Sequence, residues 1–122
     1  MTDTNTYAAG QRDTRPWGDW EVLDAGPGYV VKRIRVSPGG ILSLQRHRHR
    51  AEDWVIVAGT GRVTLDDKHF DLAAGQIAHV NVHQVHRIAN PGSVQMIFIE
   101  VQTGELLSED DIERLEDSYG RT

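Results

Sequence analysis

Turn signals recur at short intervals along this chain and leave room only for short strands between them. Each signal combines glycine, proline or aspartate with small neighbours; the signals lie at residues 25–28, 37–40, 58–61, 66–67, 73–75 and 90–92. The stretches between them have the usual strand length of about five to eight residues. No helical repeat precedes residue 108. This pattern predicts an all-β fold, an antiparallel double-sheet barrel of the jelly-roll type.

The two ends of the chain depart from this pattern. Residues 1–13 are polar and without periodicity, which predicts a flexible N-terminal arm before a single domain over residues 14–122. Near the other end, Ser108 precedes three acidic residues, and Ile112 and Leu115 would share one face of a helix. We therefore predict a short C-terminal helix near residues 108–118.

Composition excludes several classes of protein. A length of 122 residues suits one domain, and a net charge of −5 argues against a general nucleic-acid binder. The chain has no cysteine, so it has no disulfide and no thiolate metal site. No apolar run is long enough for a membrane span, and the polar N-terminus lacks the core of a signal peptide. We expect a cytoplasmic protein without a membrane partner.

Histidines and one glutamate suggest a metal site. His47 and His49 would project from one face of a strand, because alternate side chains share a face. Glu52 can converge with them only if the chain bends at residues 50–51. With His86 from a later strand, this mixed nitrogen and oxygen set suits zinc, iron, manganese, nickel or cobalt.

The same alternation predicts a polar pocket. Ser43 and Gln45 share the face of the two histidines, so the barrel interior there favours a polar ligand. Trp54 shares the face of Glu52 and either lines this pocket or belongs to the core.

Charged residues also fall on faces that are otherwise apolar. Lys32 alternates with Val30 and Ile34, and it is either functional or packed by its stem with its head in water. Glu100 follows Met96 and Phe98 on one face and raises the same question. Most of the chain's arginines should be surface ion-pair partners, while one or two could bind a phosphate.

Two stretches of the chain resemble the motifs of the cupin superfamily. The first runs from residue 40 to 59 and contains His47, His49 and Glu52; the second runs from residue 75 to 90 and contains His86. The resemblance implies a cupin barrel, also called a double-stranded β-helix, in which these four residues hold one metal ion. Asn81 and His83 stand where the second motif usually has proline and glycine, and the spacing from His49 to Glu52 is shorter than in many cupins.

The chain is more similar still to the type II phosphomannose isomerase domain. The similarity covers nearly everything from Arg15 to Arg121, and it is carried by residues 15–21, 31–34, 42–52, 59–60, 86–92, 99–104, 109–112 and 117–121. That family usually carries this cupin behind a nucleotidyltransferase domain that makes GDP-mannose. The 122 residues include no such segment, and we expect a stand-alone cupin. Asp53 stands where the family usually has histidine, beside the metal set.

The resemblance implies an isomerase that interconverts mannose 6-phosphate and fructose 6-phosphate through an enediol. Such chemistry needs a divalent metal, a base that moves a proton between C2 and C1, and cations that bind the phosphate. Zinc is the metal that we expect first. The candidate catalytic residues are Lys32, Glu100 and Arg87, and the candidate substrate-binding residues are Gln45, Arg87 and Trp54. Arg87, beside His86 in the second motif, is the candidate phosphate clamp. A metal-dependent oxygenase and a sugar-binding cupin without catalysis remain alternatives.

Apolar residues on the side opposite the candidate ligands suggest self-association. Leu42 and Leu44 lie on that face, and Ile97 and Ile99 form another apolar stretch. Exposed sheet edges also need cover, and a two-fold dimer is the commonest closed assembly. We expect a homodimer.

Overall fold

The computed structural model describes residues 4–120 and contains strands and turns in that range, with no helix. The strands are β1 (Thr4–Asn5), β2 (Arg12–Arg15), β3 (Gly18–Gly26), β4 (Tyr29–Val36), β5 (Leu44–Arg46), β6 (Arg50–Ala58), β7 (Thr60–Leu65), β8 (Lys68–Ala73), β9 (Ile77–Val80), β10 (His86–Ala89), β11 (Met96–Gly104), β12 (Leu106–Leu107) and β13 (Glu113–Glu116). Since none of these residues is helical, no helix in the described range could cross a membrane.

Two antiparallel sheets form the body of the domain. One has six strands in the order β2-β3-β4-β11-β6-β9, and the other has five in the order β13-β5-β10-β7-β8. A small parallel pair, β1 with β12, lies beside them. Buried side chains from both sheets form one hydrophobic cluster, so the sheets pack face to face. The predicted all-β double-sheet architecture is confirmed.

Three neighbouring strands set the character of the interior. Inward-facing positions alternate strictly along β4, β6 and β11, as the pleat requires. One end of this surface is apolar and contains Ile34, Ile56 and Phe98. At the other end, Glu100 pairs in register with Lys32 on one side and Trp54 on the other. The barrel therefore has an apolar half, which contributes most of the hydrophobic core, and a polar half.

The predicted C-terminal helix is wrong. Residues 109–111 form a turn and a bend, and β13 pairs with the edge of β5 instead. Strand pairing satisfies the backbone groups of that edge, which a helix would leave exposed. Arg46 on β5 also binds Glu113 on β13, with two donor–acceptor distances of 2.8 and 3.1 Å. The helix propensity of a local sequence is weak, and tertiary contacts such as these can override it.

The N-terminal segment packs against the barrel from residue 4 onward, although the sequence predicts a flexible arm over residues 1–13. Residues 1–3 of that arm lie outside the described range. The Asn5 side-chain amide donates to the carbonyls of Gly26 and Tyr29, and the Tyr7 ring is buried edge-on against Trp20. A polar sequence without periodicity can thus be ordered by a few specific contacts at a sheet edge.

Candidate metal centre

Three buried side chains from different segments meet in the polar half of the barrel. His47 follows β5, Glu52 lies on β6, and His86 lies on β10; each offers a ligand atom within 4.8 Å of the other two. The His47 Nε2 atom is 3.2 Å from Glu52 Oε2, and His86 Nε2 is 3.9 Å from Glu52 Oε1. The structure therefore brings together three of the four residues predicted as metal ligands.

The fourth predicted ligand, His49, does not join this group. Its side chain is exposed and borders a separate groove with Arg46 and Arg48. The prediction assumed that strand alternation continues to residue 49, but β5 ends at Arg46. Beyond that point the Asp111 carboxylate accepts hydrogen bonds from the backbone N–H groups of Arg48 and His49, which fixes a turn instead of a strand.

Both inward histidines are oriented as metal ligands usually are. His47 Nδ1 lies 2.5 Å from the Asp111 carbonyl oxygen, and His86 Nδ1 lies 2.9 Å from the Gln84 carbonyl oxygen. A carbonyl can only accept, so each Nδ1 carries a proton, and each Nε2 is the atom that faces Glu52 and would bind a metal. Burial lowers the pKa of the His47 imidazole to about 4, which keeps the ring in the neutral form that binds metals.

The carboxylate of this group is ionised. Burial by itself would raise the pKa of Glu52, but the guanidinium of Arg50 beside it holds that pKa well below its usual value. Two imidazoles and one carboxylate, with hydrogen bonds to the outer nitrogens of the imidazoles in place, fit a divalent transition-metal ion.

Arg50 is buried inside this cluster, whereas most arginines were expected at the surface. Its Nε donates to Glu52 Oε2 at 2.9 Å, its Nη1 donates to the Ser108 carbonyl at 3.2 Å, and its Nη2 lies 3.3 Å from His47 Nε2. Opposite it on β11, a side chain at Gly104 would collide with the backbone of His49, so only glycine lets the strands approach there. Strand alternation could have revealed Arg50, because it precedes Glu52 by two residues.

A second carboxyl group is buried beside the first. The Trp54 indole N–H is 3.0 Å from Glu52 Oε1 and 3.1 Å from Glu100 Oε1, and Gln102 Nε2 donates to Glu100 Oε2 at 2.9 Å. Burial, followed by the negative charge of Glu52, raises the pKa of Glu100 to about 8. The two carboxyl groups therefore differ in charge at neutral pH, which is typical of sites that transfer protons.

The head of Lys32 is buried, so the predicted alternative in which the head lies in water is wrong. Its Nζ is 3.0 Å from Glu109 Oε2 and 3.2 Å from the Tyr7 hydroxyl, and it lies 4.2 Å from the centroid of the Trp20 ring. Neither Tyr7 nor Glu109 was predicted at this site, because they come from the segments expected to be an arm and a helix. No local signal in those segments identifies them.

The predicted substrate and catalytic residues all border one pocket. Its lining includes Lys32, Gln45, Trp54, Arg87 and Glu100, together with the ligands Glu52 and His86. The pocket encloses about 70 Å³. This is well below the roughly 300 Å³ at which small-molecule pockets begin, so a sugar phosphate enters only if lining side chains move.

Gln45 and Arg87 are already engaged at the rim of this pocket. The Gln45 amide donates to the Ser43 hydroxyl at 3.0 Å. Arg87 donates to the Leu42 carbonyl through Nε and to the carboxylate and carbonyl of Glu116 through its two terminal nitrogens. Arg87 could contact a phosphate only if it gave up some of its hydrogen bonds to Leu42 and Glu116.

The turn before β10 explains one departure from the cupin motif. His83 has a φ of 69°, in the left-handed region that favours glycine. The usual glycine of the second motif falls at this position. The His83 N–H donates to the His47 carbonyl at 2.8 Å, so the turn is tied to the ligand loop without supplying a ligand.

Residues 2–117 match the family model described as the mannose-6-phosphate isomerase C-terminal domain. The chain belongs to this family. It is 55% identical over 108 residues to the alginate biosynthesis protein AlgA of Pseudomonas aeruginosa, which covers 88% of this chain and 22% of that protein. It is 48% identical over 107 residues to the mannose-1-phosphate guanylyltransferase ManC of Salmonella typhimurium, covering 88% and 22%. The chain spans about a fifth of the length of these curated relatives.

Solved structures establish the fold of this family member. The cupin domain of Schizosaccharomyces pombe Cnp3 has a TM-score of 0.68 at 15% identity, covering 70% of this chain and 64% of that one. Oxalate decarboxylase from Lactobacillus farciminis has a TM-score of 0.75 at 21% identity, covering 86% and 33%. The predicted cupin fold is confirmed.

Proposed function

We propose that this chain is a metal-dependent isomerase that interconverts mannose 6-phosphate and fructose 6-phosphate. The observation that carries the proposal is that two members of a buried metal-binding triad, Glu52 and His86, line the same pocket as the buried carboxyl group of Glu100. Family membership supports the choice of substrate, and one relative is named for a phosphate of the same sugar.

Each part of the reaction has a candidate group. His47, Glu52 and His86 would hold the divalent ion, which supplies a Lewis acid for the substrate's carbonyl and adjacent hydroxyl oxygens. Zinc suits this ligand set first, and manganese, cobalt, nickel and iron are also compatible with it. Trp54 and Gln45 border the space in which the sugar would lie.

Glu100 is our candidate for the group that moves the proton. Its ionised form would remove the proton from C2 of the open-chain aldose while water gives a proton to O1, which gives the enediol. Its acid form would then return the proton to C1 while O2 gives a proton back to water, which gives the ketose. A buried carboxyl group with a pKa near the working pH is suited to both steps.

Purified protein loaded with each candidate ion tests the proposal. Conversion of mannose 6-phosphate to fructose 6-phosphate, and exchange of the C2 proton in heavy water, can be followed by proton nuclear magnetic resonance. We expect both with at least one ion. If no ion supports turnover or exchange, the chain is not an isomerase.

Glu100→Gln is expected to lower turnover by about 10²- to 10⁴-fold, the usual contribution of a general acid–base group. The amide can still accept from Trp54, but it cannot take up a proton. Metal content should be unchanged, because Glu100 is not a member of the triad. Glu105→Gln, on an exposed turn, is the matched control. Equal turnover in the Glu100 variant and its parent would remove Glu100 from the mechanism.

One observation favours a second reaction class. Two histidines with one carboxylate also form the usual site of non-haem iron oxygenases. Oxygen uptake by the iron(II)-loaded protein would identify this activity. Binding of sugar phosphates without turnover or oxygen uptake would instead identify a sugar-binding cupin without catalysis.

The expected homodimer stays a prediction. Leu42, one of the residues that suggested it, packs partly against the core. The outer face of the six-stranded sheet offers an alternative surface, since Val55, Val57 and Ile77 are exposed there, Ile77 to 71%. Light scattering at micromolar concentration should give twice the mass of the chain, and a monomeric mass would refute the dimer.

A further inference from the structure

The carboxylate of Glu109 is held by three donors, two of which line the pocket. Glu109 Oε2 accepts from Lys32 Nζ at 3.0 Å and from the Tyr7 hydroxyl, and Glu109 Oε1 accepts from Arg15 Nη2 at 3.1 Å. Lys32, Arg15 and Glu109 all line the same pocket as Glu52 and His86 of the metal-binding triad. An ammonium, a guanidinium and a phenol around one anion form the donor set that proteins use for phosphate.

This group has more positive charge than Glu109 can balance. Lys32 and Arg15 contribute two charges, and Glu109 contributes one. Arg15 has a second partner in Asp13, but that carboxylate is exposed to solvent. A sugar phosphate carries about one and a half to two negative charges at neutral pH, so it matches the two cations better than a single carboxylate does.

A buried donor in the same group has no acceptor. Trp20 is 4% exposed, lines the pocket and packs against Lys32, Arg15 and Tyr7. Its indole Nε1 has no hydrogen-bond partner among the described residues. Buried N–H groups are almost always satisfied, so this donor is a second indication that the cluster receives a ligand with acceptor oxygens.

Two of the three donors are fixed by strands and the third, Tyr7, is buried against Trp20 between β1 and β2, while the acceptor lies in a turn. Lys32 and Arg15 project from β4 and β2, whereas Glu109 lies between β12 and β13. Withdrawal of Glu109 would leave the donors in place and enlarge a pocket that is too small for a sugar phosphate. Glu109 is therefore the part of this group that a ligand can replace with the least rearrangement.

The position of Lys32 relative to the triad also suits a sugar phosphate, which must be bound at its carbonyl end and at its phosphate end. Lys32, Glu100 and Trp54 lie at one level across three adjacent strands, so Lys32 and Trp54 are about 10 Å apart along the sheet. Glu100 lies between them, and Glu52 of the triad accepts from Trp54. A hexose phosphate would then have its carbonyl end at the triad, its C1–C2 bond near Glu100 and its phosphate at Lys32.

We propose that Arg15, Lys32 and Tyr7 form an anion-binding site for the phosphate group of the substrate, and that the Glu109 carboxylate occupies this site until a phosphate displaces it. The identity of the sugar rests on the proposed isomerase function, whereas the anion site itself does not. Glu109 thereby acts as a built-in competitor for phosphorylated ligands.

Calorimetric titration of the metal-free protein tests this directly, with inorganic phosphate, mannose 6-phosphate and mannose as the three probes. Glu109→Gln should tighten binding of both phosphates by about tenfold, because it removes the competing charge. Lys32→Met should weaken both by at least tenfold, and Arg15→Gln should act in the same direction. Binding of mannose should not respond to Glu109→Gln. Glu113→Gln, in the same segment but outside the pocket, and Arg62→Gln on the exposed face of β7 are the matched controls.

The outcomes separate this site from the isomerase proposal. Thermal unfolding checks that each variant is folded; if Lys32→Met is not, Arg15→Gln, at a partly exposed position, gives the same test. Unchanged or weaker phosphate binding by Glu109→Gln, or an equal gain for Glu113→Gln, would overturn the anion site even if the protein turns over mannose 6-phosphate. Tighter phosphate binding by Glu109→Gln in a protein without turnover would support the site and refute the isomerase.

Discussion

His47→Ala is expected to remove the metal and nearly all turnover. The substitution deletes one of three ligands, and the remaining His86 and Glu52 offer too few donors for a transition-metal ion. Loss of a mere outer-shell partner already lowers metal affinity by about 10- to 100-fold, so loss of a ligand should exceed that range. Without the ion, the negative charge that develops on the substrate oxygens is not stabilised. Metal content after dialysis and the rate of isomerisation measure the two effects.

Two further histidine variants make this test specific. His69→Ala is the control, because His69 lies in an exposed stretch and bonds only to Thr64 among the described residues. His49→Ala separates the predicted four-ligand set from the three-ligand set of the structure. Full metal content in the His49 variant would support three ligands, whereas loss equal to that of His47→Ala would show that His49 binds the ion. Retention of metal by His47→Ala would refute the site.

The sequence was sufficient where strand alternation decides the environment of a residue. Lys32 and Glu100 follow regular alternation along β4 and β11, so their inward direction could be predicted without any knowledge of their partners. The same holds for Trp54 on β6. Turn signals between these strands likewise predicted the all-β architecture, because each of them shortens the segments that can form regular structure.

The sequence was insufficient where contacts with distant segments determine the conformation and the environment of a residue. His49 would face inward if β5 continued, but the carboxylate of Asp111, more than sixty residues away, fixes a turn at that point. The local sequence around Glu109 predicts the first turn of a helix, yet Lys32 and Arg15 bind Glu109 in a turn between two strands. Tyr7 belongs to a segment without any periodic signal. In each case a contact between residues far apart in sequence outweighs the local preference.

Arg50→Met should destabilise the metal-free protein by about 3 to 5 kcal/mol, because it leaves the buried carboxylate of Glu52 without its cation. Arg50 is 6% exposed and Glu52 is 2% exposed, so water cannot take over the role of the guanidinium. Methionine roughly preserves the aliphatic volume, which limits the effect to the charge and its hydrogen bonds. Urea unfolding in the presence of a chelator gives the free energy of unfolding.

Zinc should stabilise this variant more than it stabilises the parent. In the parent, the Arg50 guanidinium contacts Glu52 Oε2 and His47 Nε2, two of the atoms that would bind the ion. Removing that competition should tighten the site, and binding at a hundred times the dissociation constant contributes about 2.7 kcal/mol to stability. Arg62→Met, which removes an exposed ion pair with Asp71, should change neither quantity appreciably. Equal stability of the Arg50 variant and its parent under chelation would show that Glu52 does not depend on Arg50. Equal stabilisation of both by zinc would show that the guanidinium and the ion do not compete for the same atoms.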